Sequence, residues 1–417
     1  GDPLMQYGLI GEKLGHSYSE RIHNMIGGYE YRLCPLSPER MRALLKSRDF
    51  RGLNVTIPYK KDVLPFCDVL SGEVRRIGSA NTLVNRDGAL IAYNTDIGGL
   101  LSLIQRAGVQ VRDKKAVILG SGGTSLTAHA ACEALGARRI VTVSRKGPVD
   151  YEALYRDHAD AEVLINATPV GMYPGNGASP VDVARLPALE GVIDVVYNPD
   201  RTPLVLAAQK RGLPAAGGLW MLVMQAVLAA EKFLGKRVDT ERAADIYAAL
   251  RMERLNLVLI GMPGSGKTTL GKALAEALRR PFVDCDAEIE RAAGMPIPEI
   301  FRTKGEAAFR ALESGIIARF GRESGQVIAT GGGAPLREEN AVALRQNGMV
   351  LLVQRPVERL ATAGRPLSAG GMEALRRMEV ERAPFYEACA DARVDNTDRV
   401  EQAVDSALRA FQELVRA

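Results

Sequence analysis

Short apolar runs, closed by polar turns, alternate with longer amphipathic stretches along all 417 residues of this chain. Residues 7–10, 53–57 and 82–84 read as strands, and residues 38–46 between them as a helix. From Lys115 the alternation becomes regular, with a strand at 116–119, a glycine-rich turn, a helix through Leu135, and strands at 139–143, 163–166 and 192–196. Helical segments follow at 221–234 and 240–250, and a further strand–turn–helix series opens with the apolar run 255–260 and the helix 269–278. Apolar runs this short, bounded by turn residues, suit strands better than helices. Strands alternating with helices imply an α/β chain built on parallel sheets. A chain of this length is expected to form two or three domains.

Composition works mainly by exclusion. A formal charge of +5, with no basic block, gives no reason to expect a nucleic-acid partner, and the arginine surplus suits small anionic ligands. The longest apolar stretch, residues 219–230, is too short to span a bilayer and contains Gln225, so a core helix is expected and no membrane segment. Cys34, Cys67, Cys132, Cys285 and Cys389 include no C-x-x-C pair, and such a dispersed odd set reads as reduced thiols in a cytoplasmic protein. The four histidines show no metal-ligand spacing.

Two glycine-rich turns carry chemistry. Residues 261–268, Gly-Met-Pro-Gly-Ser-Gly-Lys-Thr, follow one strand and open a helix, the setting in which backbone N–H groups and a helix N-terminus hold nucleotide phosphates. Gly264, Ser265, Gly266 and Thr269 would cradle the phosphates of ATP. Lys267 would reach the β- and γ-phosphates, and Thr268 would bind Mg²⁺. Earlier, Gly120-Ser121-Gly122-Gly123 lies between a strand and a helix and is a candidate dinucleotide turn, with Ser125 where a third glycine is usual. At the end of the next strand an NAD site would place an acidic residue. This chain has Ser144-Arg145-Lys146, and two cations there suit the 2′-phosphate of NADP.

Several segments then resemble the shikimate dehydrogenase family over about residues 5–250. They are Gly15-His-Ser17-Tyr-Ser19 with His23-Asn24, Asn54-Val-Thr56-Ile-Pro-Tyr-Lys60, Gly78-Ser-Ala-Asn81-Thr, Asn94-Thr-Asp96, Asn166-Ala-Thr-Pro-Val-Gly-Met172, Tyr197-Asn-Pro and Gln225, in the family's order. The resemblance implies that Ser17 and Ser19 bind the substrate carboxylate, and that Thr56, Asn81, Tyr197 and Gln225 contact the carboxylate or ring hydroxyls. Lys60 and Asp96 would be the catalytic pair. Reduction of a ketone leaves an alkoxide that needs a proton, which Lys60 can supply while Asp96 holds its ammonium.

Downstream, Phe282-Val-Asp284-Cys-Asp286, Gly305-Glu-x-x-Phe309-Arg310, Thr330-Gly331-Gly332-Gly333, Arg365-Pro-Leu367 and Arg382-x-x-x-Tyr386 resemble shikimate kinase over about residues 255–417. That likeness implies that Asp284 supports Mg²⁺ and that Asp286 binds the acceptor hydroxyls and takes the attacking proton. Arg310 and Arg382 would grip the acceptor carboxylate, with the backbone of Gly331–Gly333 against the ring. Arg365 would stabilise the transferred phosphoryl group, and Arg359 would stack on adenine.

Together the resemblances imply a discontinuous substrate domain (5–96 and 218–251), a Rossmann-like NADP domain (97–217) and a phosphate-loop kinase domain with a parallel sheet (252–417). The expected activities are reduction of 3-dehydroshikimate with NADPH and phosphorylation of shikimate with MgATP. Two alternatives stay open: a catalytically weak first half that senses NADP or shikimate, and a quinate-type dehydrogenase ahead of the same kinase. Oligomeric state is undetermined, a homodimer included.

Overall fold

The computed structural model describes residues 6–15, 18–175, 178–361 and 369–417. Contacts divide the chain into two units, Gly1–Tyr197 with Ala207–Tyr247, and Asn198–Leu206 with Ala248–Ala417. The helix Thr240–Arg254 runs through residues 251 and 252, and the division falls inside it, between Tyr247 and Ala248.

The first unit contains two sheets. One is mixed and six-stranded, in the order Tyr31–Pro35, Tyr7–Gly11, Gly52–Val55, Thr82–Arg86, Ala89–Tyr93 and Val69–Leu70. Its strand Tyr7–Gly11 is parallel to both neighbours, while Thr82–Arg86 pairs antiparallel on both sides. The run expected as a strand over 53–57 leaves the sheet after Val55. There the Thr56 N–H donates to the carbonyl of Ile10, and the Tyr59 N–H closes a turn onto the carbonyl of Thr56. That turn delivers Thr56 and Lys60 to one end of the sheet.

The other sheet is five-stranded and parallel throughout, in the order Ala215–Ala216, Gly191–Asp194, Val163–Asn166, Lys115–Leu119 and Arg139–Val143. The strand expected at 192–196 ends at Asp194. The carboxylate of Asp194 accepts from the Val196 N–H and from Asn166 Nδ2, both at 3.0 Å, and this bends the chain out of the sheet toward Tyr197. The glycine-rich turn follows the strand Lys115–Leu119, whose two neighbours, Arg139–Val143 and Val163–Asn166, lie on opposite sides. This is a switch point, where ligands of α/β sheets bind.

Two helices of this unit, Asp96–Ala107 and Leu219–Leu234, pack at close range because Gly98 and Gly99 face the second helix. A Cβ on Gly99 would lie 2.8 Å from the carbonyl oxygen of Met221 and 3.2 Å from the amide nitrogen of Gln225. This approach brings Gln225 beside Thr95, whose hydroxyl donates to the Gln225 carbonyl at 2.9 Å.

The second unit is built on one parallel sheet, in the order Phe282–Asp284, Val327–Ala329, Asn256–Ile260, Gly348–Gln354 and Ala392–Asp395. Alternate residues of its central strands serve opposite faces. Val258, Ile260, Val350 and Leu352 pack with Ile289, Ile317 and Tyr386, while Leu257, Leu259, Met349 and Leu351 pack with Leu270, Leu274 and Phe411. Helices therefore cover both faces, and the strands read as nearly unbroken apolar runs. The phosphate loop follows the middle strand, Asn256–Ile260, and leads into the helix Lys267–Leu278.

Candidate active sites

In the first unit a cavity of about 470 Å³ is lined by Ser19, Thr56, Lys60, Asn81, Asp96, Tyr197 and Gln225, drawn from six separate motifs. Lys60 Nζ donates to Asp96 Oδ2 at 3.1 Å, with both side chains only partly exposed. Asp96 is the first residue of the helix Asp96–Ala107, where aligned backbone dipoles favour a carboxylate. Asn81 orients it further: Nδ2 donates to Asp96 Oδ1 at 3.2 Å and to the Thr95 hydroxyl at 2.9 Å, and Oδ1 accepts from the Thr95 N–H at 2.8 Å. The geometry thus fixes a lysine ammonium at the cavity wall against an immobilised carboxylate. Ser17 lies outside the described residues.

Three further residues belong here. Asn54, buried in the sheet, holds the neighbouring strand by donating to the Asn81 carbonyl and the Thr82 hydroxyl. Tyr18 meets Tyr197 edge to face, with ring centroids 5.8 Å apart, and Lys13 adds a second cation to the cavity lining. No sequence pattern singles out Lys13, because it sits in a loop brought to the wall by folding alone. His23, quoted among the motifs, does not reach this cavity lining. It stacks on Tyr31 with centroids 4.0 Å apart, and burial pushes its pKa down to about 3, so it is a neutral core residue.

At the glycine-rich turn, Gly120 adopts φ +125°, and a Cβ there would lie 3.1 Å from the carbonyl oxygen of Ala167. Only glycine suits that position. Ser121, Gly122 and Gly123 are exposed, and open space surrounds the point where a Cβ on either glycine would stand, which fits close approach of a pyrophosphate to the helix N-terminus. Ser125 is buried within the helix Gly123–Ala134. Ser144 is half-buried at the end of the adjacent strand, and Arg145 and Lys146 are exposed beyond it.

In the second unit Lys267 is the first residue of its helix and is nearly buried. Its ammonium donates to the carbonyls of Gly261 and Met262 at 2.6 and 3.0 Å. Burial lowers its pKa to about 8, against the opposing pull of Asp286 and Asp284. A buried cation at a helix N-terminus, behind a glycine-rich loop, is suited to phosphate oxygens. Asp284 caps the helix Cys285–Ala293 through Oδ1, which accepts from the N–H groups of Asp286 and Ala287, and its Oδ2 lies 3.5 Å from the hydroxyl of Thr268. Thr268 and Asp284 thus present two oxygens together, a donor set that suits Mg²⁺. Thr269 is exposed in the first turn of the same helix.

Gly331, Gly332 and Gly333 form a floor onto which three charged side chains converge. A Cβ on these glycines would lie 2.9 Å from Asp286 Oδ1, 2.8 Å from Arg382 Nη1 and 2.6 Å from Arg310 Nη1, respectively. Burial, with Asp284 and Glu313 alongside, raises the Asp286 pKa. The Tyr386 hydroxyl donates to the Gly332 carbonyl at 2.6 Å and holds this floor in place. Glu313, not singled out from the sequence, is fully buried and accepts from Arg310 Nη1 at 2.8 Å. Its place three residues after Arg310 on the helix Glu306–Gly321 was the available signal.

Two more residues brace the phosphate loop from outside. Arg355 donates to the carbonyls of Gly264 and Asn396, and Asn396 Nδ2 donates to the Ser265 carbonyl at 2.8 Å. Arg359 donates to the Thr397 carbonyl in the same segment, while Arg365 lies outside the described residues. Among the described residues all five cysteines are free, and no helix is long and apolar enough to cross a membrane.

Known protein families match both parts of the chain. The family model described as shikimate dehydrogenase substrate binding domain matches residues 9–83, and that of shikimate kinase matches residues 263–412. An NADP(+) shikimate dehydrogenase of Clostridium perfringens is 36% identical over 266 residues, covering 59% of this chain and 98% of that protein. A chorismate mutase/shikimate 5-dehydrogenase fusion protein from Clostridium acetobutylicum superimposes with a TM-score of 0.56 at 34% identity, covering 58% of this chain and 96% of that one. A quinate dehydrogenase from Corynebacterium glutamicum, in complex with NAD, gives 0.53 at 27% identity, covering 60% and 100%. The chain therefore belongs to the shikimate dehydrogenase family and carries a shikimate kinase domain behind that part.

Proposed function

We propose that the chain catalyses two consecutive steps on one cyclic hydroxy-acid: NADPH-dependent reduction of 3-dehydroshikimate to shikimate, then MgATP-dependent phosphorylation of a shikimate hydroxyl. The observation that carries this reading is that each unit gathers, around its own nucleotide loop, residues suited to a polyhydroxylated carboxylate. The cytoplasm is the compartment proposed for it.

In the first unit the cofactor would supply a hydride to the ring carbonyl carbon, held by the turn Gly120–Gly123 with Arg145 and Lys146 at the 2′-phosphate. Ser19, Thr56, Asn81, Tyr197 and Gln225 would hold the acid by its polar groups. Lys60 Nζ–H gives its proton to the carbonyl oxygen as the C=O π bond opens, and the product is a secondary alcohol. Asp96 keeps the ammonium aimed until that transfer.

In the second unit Arg310, set by Glu313, and Arg382 would bind the carboxylate, and Asp286 would receive the hydroxyl proton as the oxygen attacks the γ-phosphorus and the bond to ADP breaks. A raised Asp286 pKa suits proton acceptance. Lys267 stays on the phosphate oxygens throughout. Thr268 and Asp284 would hold Mg²⁺, which neutralises phosphate charge when bound.

The structural likeness to an NAD-bound quinate dehydrogenase favours one competing reading, a quinate-type first half. The two cations after the strand Arg139–Val143 weigh against NAD. A coupled assay with dehydroshikimate, NADPH and MgATP, each omitted in turn, tests the proposal. Shikimate should accumulate without ATP, and its phosphate should appear only with all three; quinate-dependent NAD reduction exceeding shikimate-dependent NADP reduction would overturn it.

A further inference from the structure

The side chain of Asn81, which turns toward Asp96, is used to its full hydrogen-bonding capacity. Its Oδ1 accepts from the Thr95 N–H at 2.8 Å and from the Thr82 hydroxyl at 3.0 Å. Its Nδ2 gives one proton to the Thr95 hydroxyl at 2.9 Å and the other to Asp96 Oδ1 at 3.2 Å. A carboxamide offers two acceptor and two donor positions, so all four are taken. Thr82 opens the strand Thr82–Arg86 and is fully buried. Its bearing on the catalytic pair depends on where its single hydroxyl proton points.

That direction follows from two backbone groups whose sense cannot reverse. The Asn81 carbonyl only accepts, and it takes the Val55 N–H at 2.8 Å and Asn54 Nδ2 at 3.2 Å. Asn54 must therefore present its amide nitrogen on that side, where Nδ2 also donates to Thr82 Oγ1 at 3.0 Å. The Asn54 Oδ1 accepts from the Tyr31 hydroxyl at 2.8 Å, and His23, stacked on Tyr31, adds a hydrogen bond to the same side chain. Burial raises the Tyr31 pKa well above its ordinary value, so the phenol keeps its proton. Because Thr82 Oγ1 accepts from Asn54, its own proton goes to Asn81 Oδ1. The Thr95 N–H only donates, and it requires the same end of the Asn81 amide. Both constraints turn Nδ2 toward Asp96, whose other oxygen holds Lys60.

We infer that Thr82 is a positioning residue for the dehydrogenase: its hydroxyl, oriented by Asn54, locks the Asn81 amide and so fixes the direction in which Asp96 holds the Lys60 ammonium. Without that hydroxyl two buried groups, Asn54 Nδ2 and Asn81 Oδ1, each lose a partner, and the network that aims the carboxylate loosens. The inference rests on the proposed function for the part Lys60 and Asp96 play in proton transfer.

Thr82→Val keeps the shape and removes the hydroxyl, whereas Thr82→Ser keeps the hydroxyl and removes a methyl group. Measured on the full chain, kcat for dehydroshikimate reduction should fall about tenfold in Thr82→Val and be rescued to within about twofold of wild type in Thr82→Ser, with the KM for NADPH little changed in both. Packing alone predicts otherwise, since Thr82→Ser loses buried apolar surface and would be damaged as well. A kcat in Thr82→Val no lower than that in Thr82→Ser would overturn the inference. Should Thr82→Val not fold, Thr82→Cys takes its place, with a thiol that is a weaker donor than a hydroxyl; its kcat should lie below that of Thr82→Ser, and equality would overturn the inference in the same way. A second readout needs no substrate. In protein isotopically labelled at asparagine, the Asn81 side-chain amide protons should exchange slowly in wild type and Thr82→Ser and faster in the variant without the hydroxyl. If wild-type protein reduces no dehydroshikimate, the functional reading falls, while exchange still decides whether Thr82 locks the amide; equal exchange in all of these proteins would reject that lock.

Discussion

Lys60 and Asp96 are 36 residues apart in the chain and 3.1 Å apart in the cavity. An exposed ion pair would contribute under ~1 kcal/mol to stability, so this pair is better judged by its chemistry. Lys60→Ala should lower dehydrogenase kcat by about 10²–10⁴, and steady-state reduction of dehydroshikimate measures this directly. Arg145→Ala should raise the KM for NADPH by about tenfold and leave that for NADH nearly unchanged; equal weakening of both would remove Arg145 from the 2′-phosphate. Lys267 carries a pH dependence of definite sign. Its pKa is depressed to about 8 in the folded protein without nucleotide, against an ordinary 10.5. Between those values the unfolded chain holds a proton that the folded chain has released, so this lysine's contribution to stability rises with pH across that window. Phosphate binding needs the ammonium, so affinity for a non-hydrolysable ATP analogue should fall as pH rises past about 8. Calorimetric titrations on either side of that pH, with Lys267→Met as the flat reference, check both the direction and the residue.

At the scale of elements, both nucleotide loops were legible because strand, glycine turn and helix are contiguous in sequence, and their backbone geometry is local. The glycine floor was legible only by resemblance. Its physical cause appears when side chains from three helices, at Asp286, Arg310 and Arg382, come to rest on it. Gly333→Ala would place a methyl group 2.6 Å from the Arg310 guanidinium. The arginine must swing away and release one charge-assisted bond of about 1.5–3 kcal/mol. The KM for shikimate in the kinase assay should rise about tenfold or more, with the KM for ATP little changed, and comparison of the two separates a displaced arginine from a damaged phosphate loop. Strand ends were the least legible elements. Residues 56–57 and 195–196 are apolar or β-branched enough to extend their strands, yet hydrogen bonds accepted by the Thr56 carbonyl and the Asp194 carboxylate turn the chain out of the sheet there.

At the scale of the whole molecule, two units with separate cores predict separable activities. Lys267→Ala should abolish phosphorylation and leave NADPH oxidation at its wild-type rate, whereas Lys60→Ala should do the reverse. Parallel assays of both reactions on each variant provide the check, and joint loss in either would mean that the two activities are not separable.

The order of motifs, their strand–turn–helix settings and the charges at the cofactor turn were readable along the chain, because each depends on neighbours within a few residues. That reading was enough for the fold class and the two nucleotide loops, while resemblance alone named Lys60 and Asp96, which the fold brings within 3.1 Å of each other. Tertiary structure alone decided where Lys13, Glu313 and Asn396 stand, and it placed Asp200 and Arg201 among kinase side chains. Burial and pairing between residues up to 190 positions apart leave no periodic trace in a sequence, since the stabilising partner exists only once both segments have folded.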